Sequence, residues 1–119
     1  MREPDRLPSH AAMAWPVLVA IKRAGGSATN AEVTVAVAND LHLSDKQRAI
    51  TRTPKSSRTL LDYRLAWSRT LLKNMGAIQN DGPCLWSLTD AGNQVTQNDV
   101  QDFVKDMLSR LEMARNTDD

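Results

Sequence analysis

Apolar residues at Met13, Val17, Leu18, Ile21 and Ala24 recur in steps of three and four, the period that gathers them on one face of a helix with a core beneath it. Pro16 falls in the first turns of this helix, where a missing N–H does least harm, and Gly25-Gly26 supplies a left-handed end. Thr29-Asn30-Ala31-Glu32 has the T-x-x-E form of a capping box, so a second helix starts there, with Val33, Val37 and Leu41 on its buried side. Ser27-Ala28, just before it, is short enough to be a single-bridge strand. Ser44-Asp45-Lys46-Gln47 is another such box and predicts a short third helix that ends before Pro54.

The clearest pattern runs from about Arg58 to Met75. Leu60, Leu61, Leu65, Trp67, Leu71, Leu72 and Met75 gather on one side of that helix, and Arg58, Asp62, Arg69 and Lys73 on the other. Gly76 stops it. Ala77-Ile78-Gln79 and Leu85-Trp86-Ser87-Leu88 then flank the turn residues Asn80-Asp81-Gly82-Pro83, which predicts a β-hairpin. Thr89-Asp90-Ala91-Gly92 opens a further helical turn, and Val100, Phe103, Val104, Met107, Leu108 and Leu111 stripe a terminal helix. The expected fold is mainly α with a small β-hairpin (α+β): a winged helix-turn-helix with an appended C-terminal helix. Residues 1–9 are expected to be a flexible lead, 10–95 the DNA-binding domain, and 96–119 the amphipathic helix and tail. In this architecture the long helix lies in the major groove and the hairpin rests on the neighbouring backbone.

Length and composition narrow the classes. A chain of 119 residues, 41% of them hydrophobic and 24% charged, suffices for one folded domain. The longest apolar run, Ala11 to Ile21, is broken by Pro16 and is about half of what a membrane span needs. With no secretory pattern at the N-terminus and Cys84 as the single cysteine, a reducing cytoplasm is the expected location. His10 and His42 have no partner at metal-ligand spacing, and Cys84 has no matching base, so no metal, cofactor or nucleophile is expected.

The formal net charge is only +1, but its distribution is polar. Between residues 46 and 73, Lys46, Arg48, Arg52, Lys55, Arg58, Arg64, Arg69 and Lys73 face Asp62 alone. From Thr89 onward the balance reverses, with Asp90, Asp99, Asp102, Asp106, Glu112, Asp118 and Asp119 against Lys105, Arg110 and Arg115. A local cationic face of this kind suits a polyanion.

Trp15-Pro16-Val17-Leu18 with Gly25-Gly26, the run Tyr63-Arg64-Leu65-Ala66-Trp67-Ser68-Arg69-Thr70-Leu71-Leu72-Lys73, then Gly76-Ala77-Ile78 and Trp86-Ser87-Leu88-Thr89-Asp90-Ala91-Gly92 together resemble the N-terminal domain of Mrr-type restriction proteins, over about Leu7 to Val95. The resemblance implies a DNA-recognition domain, followed in that family by a separate nuclease domain with a D…ExK or D…QxK site. The chain has no E-x-K or Q-x-K triplet, so the carboxylates and lysine that would hold Mg²⁺ and activate water cannot be assembled, and no enzymatic activity is expected of it.

For a long helix docked by its N-terminal end, Ser56, Ser57, Arg58, Thr59 and Asp62 are the candidates for reading base edges. Arg48, Arg52, Lys55, Arg69 and Lys73 suit phosphates. The hairpin tip carries Asp81 and no cation, so Asn80 is its expected minor contact. Arg64 falls amid the apolar face and needs a partner, either an ion pair with Glu32 or Asp40 or a carbonyl cap; the alternative is a side chain snorkelling to phosphate. Trp15, Trp67 and Trp86 are expected to pack in and beside the core. Val100, Val104, Met107 and Leu111 offer a seam for homodimerisation. The expected partner is double-stranded DNA, with modified bases as one option. A small transcriptional regulator and a protein-protein adaptor using the same face are the rival readings.

Overall fold

The structure, a computed structural model, describes residues 7–117 apart from 52, 54, 56 and 57. Its elements run α1 (His10–Arg23), β1 (Ser27–Thr29), α2 (Asn30–Asp40), α3 (Asp45–Ala49), α4 (Leu60–Met75), β2 (Ile78–Gly82), β3 (Leu85–Leu88), α5 (Asp90–Gln94) and α6 (Gln97–Thr117). The protein is therefore mainly helical, with one small antiparallel sheet, in the element order expected from the sequence.

Local chemistry sets most of the boundaries. Both capping boxes form: Thr29 and Glu32 satisfy each other's backbone N–H at the start of α2, and Ser44 and Gln47 do the same for α3. Thr59 caps α4 by accepting from Asp62 N, so Arg58, expected inside this helix, stands just before its cap. Gly76 ends α4 at φ 85, a left-handed conformation that a residue without Cβ adopts without strain.

Met13, Val17, Leu18 and Ile21 of α1 meet Val33 and Val37 of α2 and Leu61, Leu65 and Leu72 of α4 in one core, closed by Ile78, Val100 and Val104. Burying each of these larger side chains stabilises the fold by about 1.5–3 kcal/mol. Leu7, assigned above to the lead, is buried with them. Trp67 departs from its expected packing: it stays 49% exposed, set edge-on to Tyr63 with ring centroids 6.5 Å apart, and His10 is 6.3 Å away. Its place at the margin of the apolar face leaves it beyond the part of α6 that buries Val100 and Val104.

The sheet has the order β1-β3-β2. β1 pairs with β3 through Ser27–Ser87, Ala28–Trp86 and Thr29–Leu85, a fuller strand than a single bridge. β2 runs past its expected end to Gly82, with a register shift between Asn80 and Gly82, so the turn narrows to Pro83-Cys84. Cys84 takes φ 61, and its carbonyl oxygen accepts from Asn30 N–H at 2.8 Å. Gly92 of α5 lies so close to Ala77 that a Cβ there would collide with the Ala77 carbonyl and the Leu88 side chain.

The expected dimer seam is changed by the same packing. Val100 and Val104 are buried in their own core, which leaves Met107 half-covered and Leu111 exposed. The stripe serves first to hold α6 on its own domain, so the four residues do not form one free seam.

Candidate nucleic-acid interface

α4 is locked on one side and open on the other. Leu61, Leu65, Ser68 and Leu72 face the core, and the Ser68 hydroxyl donates to the His10 carbonyl at 2.6 Å. Arg58, Asp62, Ala66, Thr70 and Lys73 follow one another along the outward side at helical spacing: Arg58, Thr70 and Lys73 are exposed, Asp62 and Ala66 half-buried. The strip has cations at its ends and small side chains between them.

The candidate residues divide by position. Lys55, Arg58 and Lys73 are exposed cations. Arg58 carries its guanidinium 5.9 Å from the Tyr63 ring centre. Thr59 is occupied as the α4 cap. Asp62 accepts from the Thr34 hydroxyl at 3.2 Å and so links α4 to α2. Arg48 is engaged in holding the fold, with its Nε donating to the Leu43 carbonyl and its Nη2 to the Asn39 Oδ1, both at 3.1 Å. Asn80 is exposed, with Nδ2 donating to the Gly82 and Leu85 carbonyls, both at 2.9 Å, which fastens the irregular end of the hairpin. Arg52, Ser56 and Ser57 lie outside the described residues.

Arg64 takes the carbonyl-cap option. Its Nη1 donates to Leu7 O at 2.9 Å and Pro8 O at 3.0 Å, and Glu32 and Asp40 are not its partners.

Arg69 needs a correction. The helical wheel puts it on the solvent face, yet it is only 6% exposed. It stands at the edge of that face, and the hairpin brings the Trp86 ring to 6.0 Å from its guanidinium carbon. Its Nε is buried without an acceptor, and no ion pair reaches it among the described residues. Burial lowers the pKa of Arg69, the nearby Arg58 charge lowers it further, and Asp62 and Cys84 act in the opposite direction.

Arg58, Asp62 and Arg69 come together in one open pocket of about 440 Å³, completed by Asn30, Ala31, Thr34 and Val35 of α2. The α2 residues were not among the sequence candidates. Asn30 carried a hint in its place beside the cap, but its Oδ1 accepts from Trp86 Nε1 at 2.8 Å, and that long-range pair has no local signature.

A second, more apolar pocket of about 320 Å³ lies between α4 and α6, lined by Tyr63, Trp67, Leu71, Met107, Leu108 and Leu111 among others. Among the described residues no His, Cys, Asp or Glu cluster could hold a metal ion, and no helix is long and apolar enough to cross a membrane. Comparison with known proteins gives one family: the model described as the Mrr N-terminal domain matches residues 10–98. No curated protein and no solved structure matches the chain.

Proposed function

Because the chain belongs to the Mrr N-terminal domain family, we propose that it is a winged helix-turn-helix domain that recognises double-stranded DNA for a restriction system, with α4 in the major groove and the β2-β3 hairpin on the flanking backbone. One observation carries this reading. Exposed cations flank the outward strip of α4, Arg58 just ahead of its cap and Lys73 near its end, with Asp62, Ala66 and Thr70 between them. A groove roughly 12 Å wide admits a helix whose central side chains are short, with Lys73 at its margin within reach of phosphate. Arg58 and Asp62 at the N-terminal end are the base-reading pair, and Lys55 and Lys73 set the register on the backbone. The chain itself performs no catalysis in this reading; its role is to hold DNA.

Duplex affinity tests the proposal, measured by fluorescence anisotropy with unmodified and cytosine- or adenine-methylated random-sequence DNA at two salt concentrations. The parent should bind with a steep salt dependence, and Arg58→Ala combined with Lys73→Ala should weaken binding at least about tenfold and reduce the log–log slope by about one, the share of the phosphate-contacting Lys73. Equal binding by parent and double variant would remove the face from consideration. A preference for methylated duplex would favour modification sensing, and protection of one particular sequence would favour a regulator. Binding that ignored salt would point to the adaptor reading instead.

A further inference from the structure

We propose that the pocket between α2 and α4 is a seat for one phosphodiester group, with Arg69 as its buried donor. This rests on the DNA-binding reading and names what the site grips. The starting point is that Arg69 is unfavourable where it stands. A guanidinium 6% exposed, with a buried Nε that has no acceptor, loses hydration that the Trp86 face 6.0 Å away restores only in part. A side chain that served only to stabilise the fold would donate to acceptors within it, as Arg64 does through Nη1 and Arg48 through Nε and Nη2. Arg69 instead lines an open pocket, so an anion entering it meets a guanidinium whose charge no ion pair among the described residues balances.

The pocket is suited to an anion. The first turn of α2 borders it through Asn30 and Ala31. Asn30 N–H is taken by Cys84 O and Glu32 N–H by Thr29, which leaves the Ala31 N–H among the amides a helix start cannot satisfy from within. Asp62 also lines the pocket, but its carboxylate accepts from Thr34 and forms no ion pair with Arg69. Arg69 brings a guanidinium charge that no ion pair among the described residues takes up, which suits the single negative charge of a phosphodiester. The seat is also in the right place, since it opens at the N-terminal end of α4, beside the strip assigned to the groove.

Arg69→Met tests the seat, because it keeps the volume and removes the charge. The variant is expected to melt at a higher temperature than the parent, since replacing an unpaired buried charge by an apolar side chain stabilises. It should bind duplex DNA about tenfold more weakly, with a log–log salt slope smaller by about one. Arg69→Lys should bind nearly as weakly, since it keeps the charge but lacks the planar fork of guanidinium donors. In parallel, inorganic phosphate should raise the melting temperature of the parent above that in chloride at equal ionic strength, and should not do so for Arg69→Met. Arg69→Met that binds like a parent that does bind DNA would overturn the seat and leave the DNA reading intact. A parent that fails to bind duplex would defeat the DNA reading, and the phosphate arm would then decide whether an anion seat exists. A destabilised Arg69→Met together with no phosphate effect on the parent would show Arg69 to be structural.

Discussion

Arg64 Nη1 donates to the Leu7 carbonyl oxygen at 2.9 Å, across 57 residues of chain, and so fastens the segment ahead of α1 to the middle of α4. The same nitrogen also reaches Pro8 O. The cation that interrupts the apolar face of α4 is thus the clasp that lets Leu7 complete the core. Arg64→Met is expected to cost about 1–3 kcal/mol, the penalty for carbonyls left without a donor. Urea denaturation should show the loss, while the salt slope of duplex binding stays at the parent value because no phosphate contact is removed.

Gly92 offers a test of packing at the other end of the domain. Its neighbour is the Ala77 backbone, which cannot swing aside as a side chain would. Gly92→Ala should therefore destabilise by about 3 kcal/mol, the upper part of the usual range for overpacking. A melting temperature within a degree or two of the parent would mean that α5 can shift away from the strand.

Asp81 is exposed on the hairpin and would face phosphate if the hairpin rests on the backbone. Asp81→Lys should tighten duplex binding several-fold and increase the log–log salt slope by about one or slightly more. No change in either quantity would take the hairpin out of the interface, while leaving α4 within it.

The Arg69 penalty has a defined dependence on pH. Burial and Arg58 hold its folded pKa below the unfolded value, so the folded state binds this proton less tightly. The cost is present in full below the lowered pKa and fades only as pH rises through it. That window lies in the alkaline range. The stability gained by Arg69→Met should accordingly be constant between about pH 6 and about pH 8 in thermal melts, and shrink only under strongly basic conditions.

Local signals in the sequence identified the helices, because caps and apolar period act within a few residues: Thr29 with Glu32, Ser44 with Gln47, and Gly76 all sit where the pattern puts them. The candidate site was legible only in part. A helical wheel treats the solvent side of α4 as uniform, so it cannot foresee that Trp86, 17 positions beyond Arg69, folds over one edge. Nor can it tell that α6 stops covering α4 short of Trp67, since that depends on the angle between two helices. Asn30 and Thr34 joined the site through tertiary contact with Trp86 and Asp62, pairs separated by 56 and 28 residues. Arg64 was recognisable as an anomaly from its position alone, but its acceptors are backbone atoms, which sequence does not mark.

The hairpin is attached by its inner strand. β3 is bonded to β2 on one side and to β1 on the other, and the carbonyl of Cys84 at its turn is taken by the first residue of α2. Such a projection cannot pivot independently to follow a curved surface. A duplex meeting the hairpin and α4 at once would encounter a rigid die, and the bending or groove adjustment needed for contact would fall on the nucleic acid, making flexible base steps easier to accommodate than stiff ones.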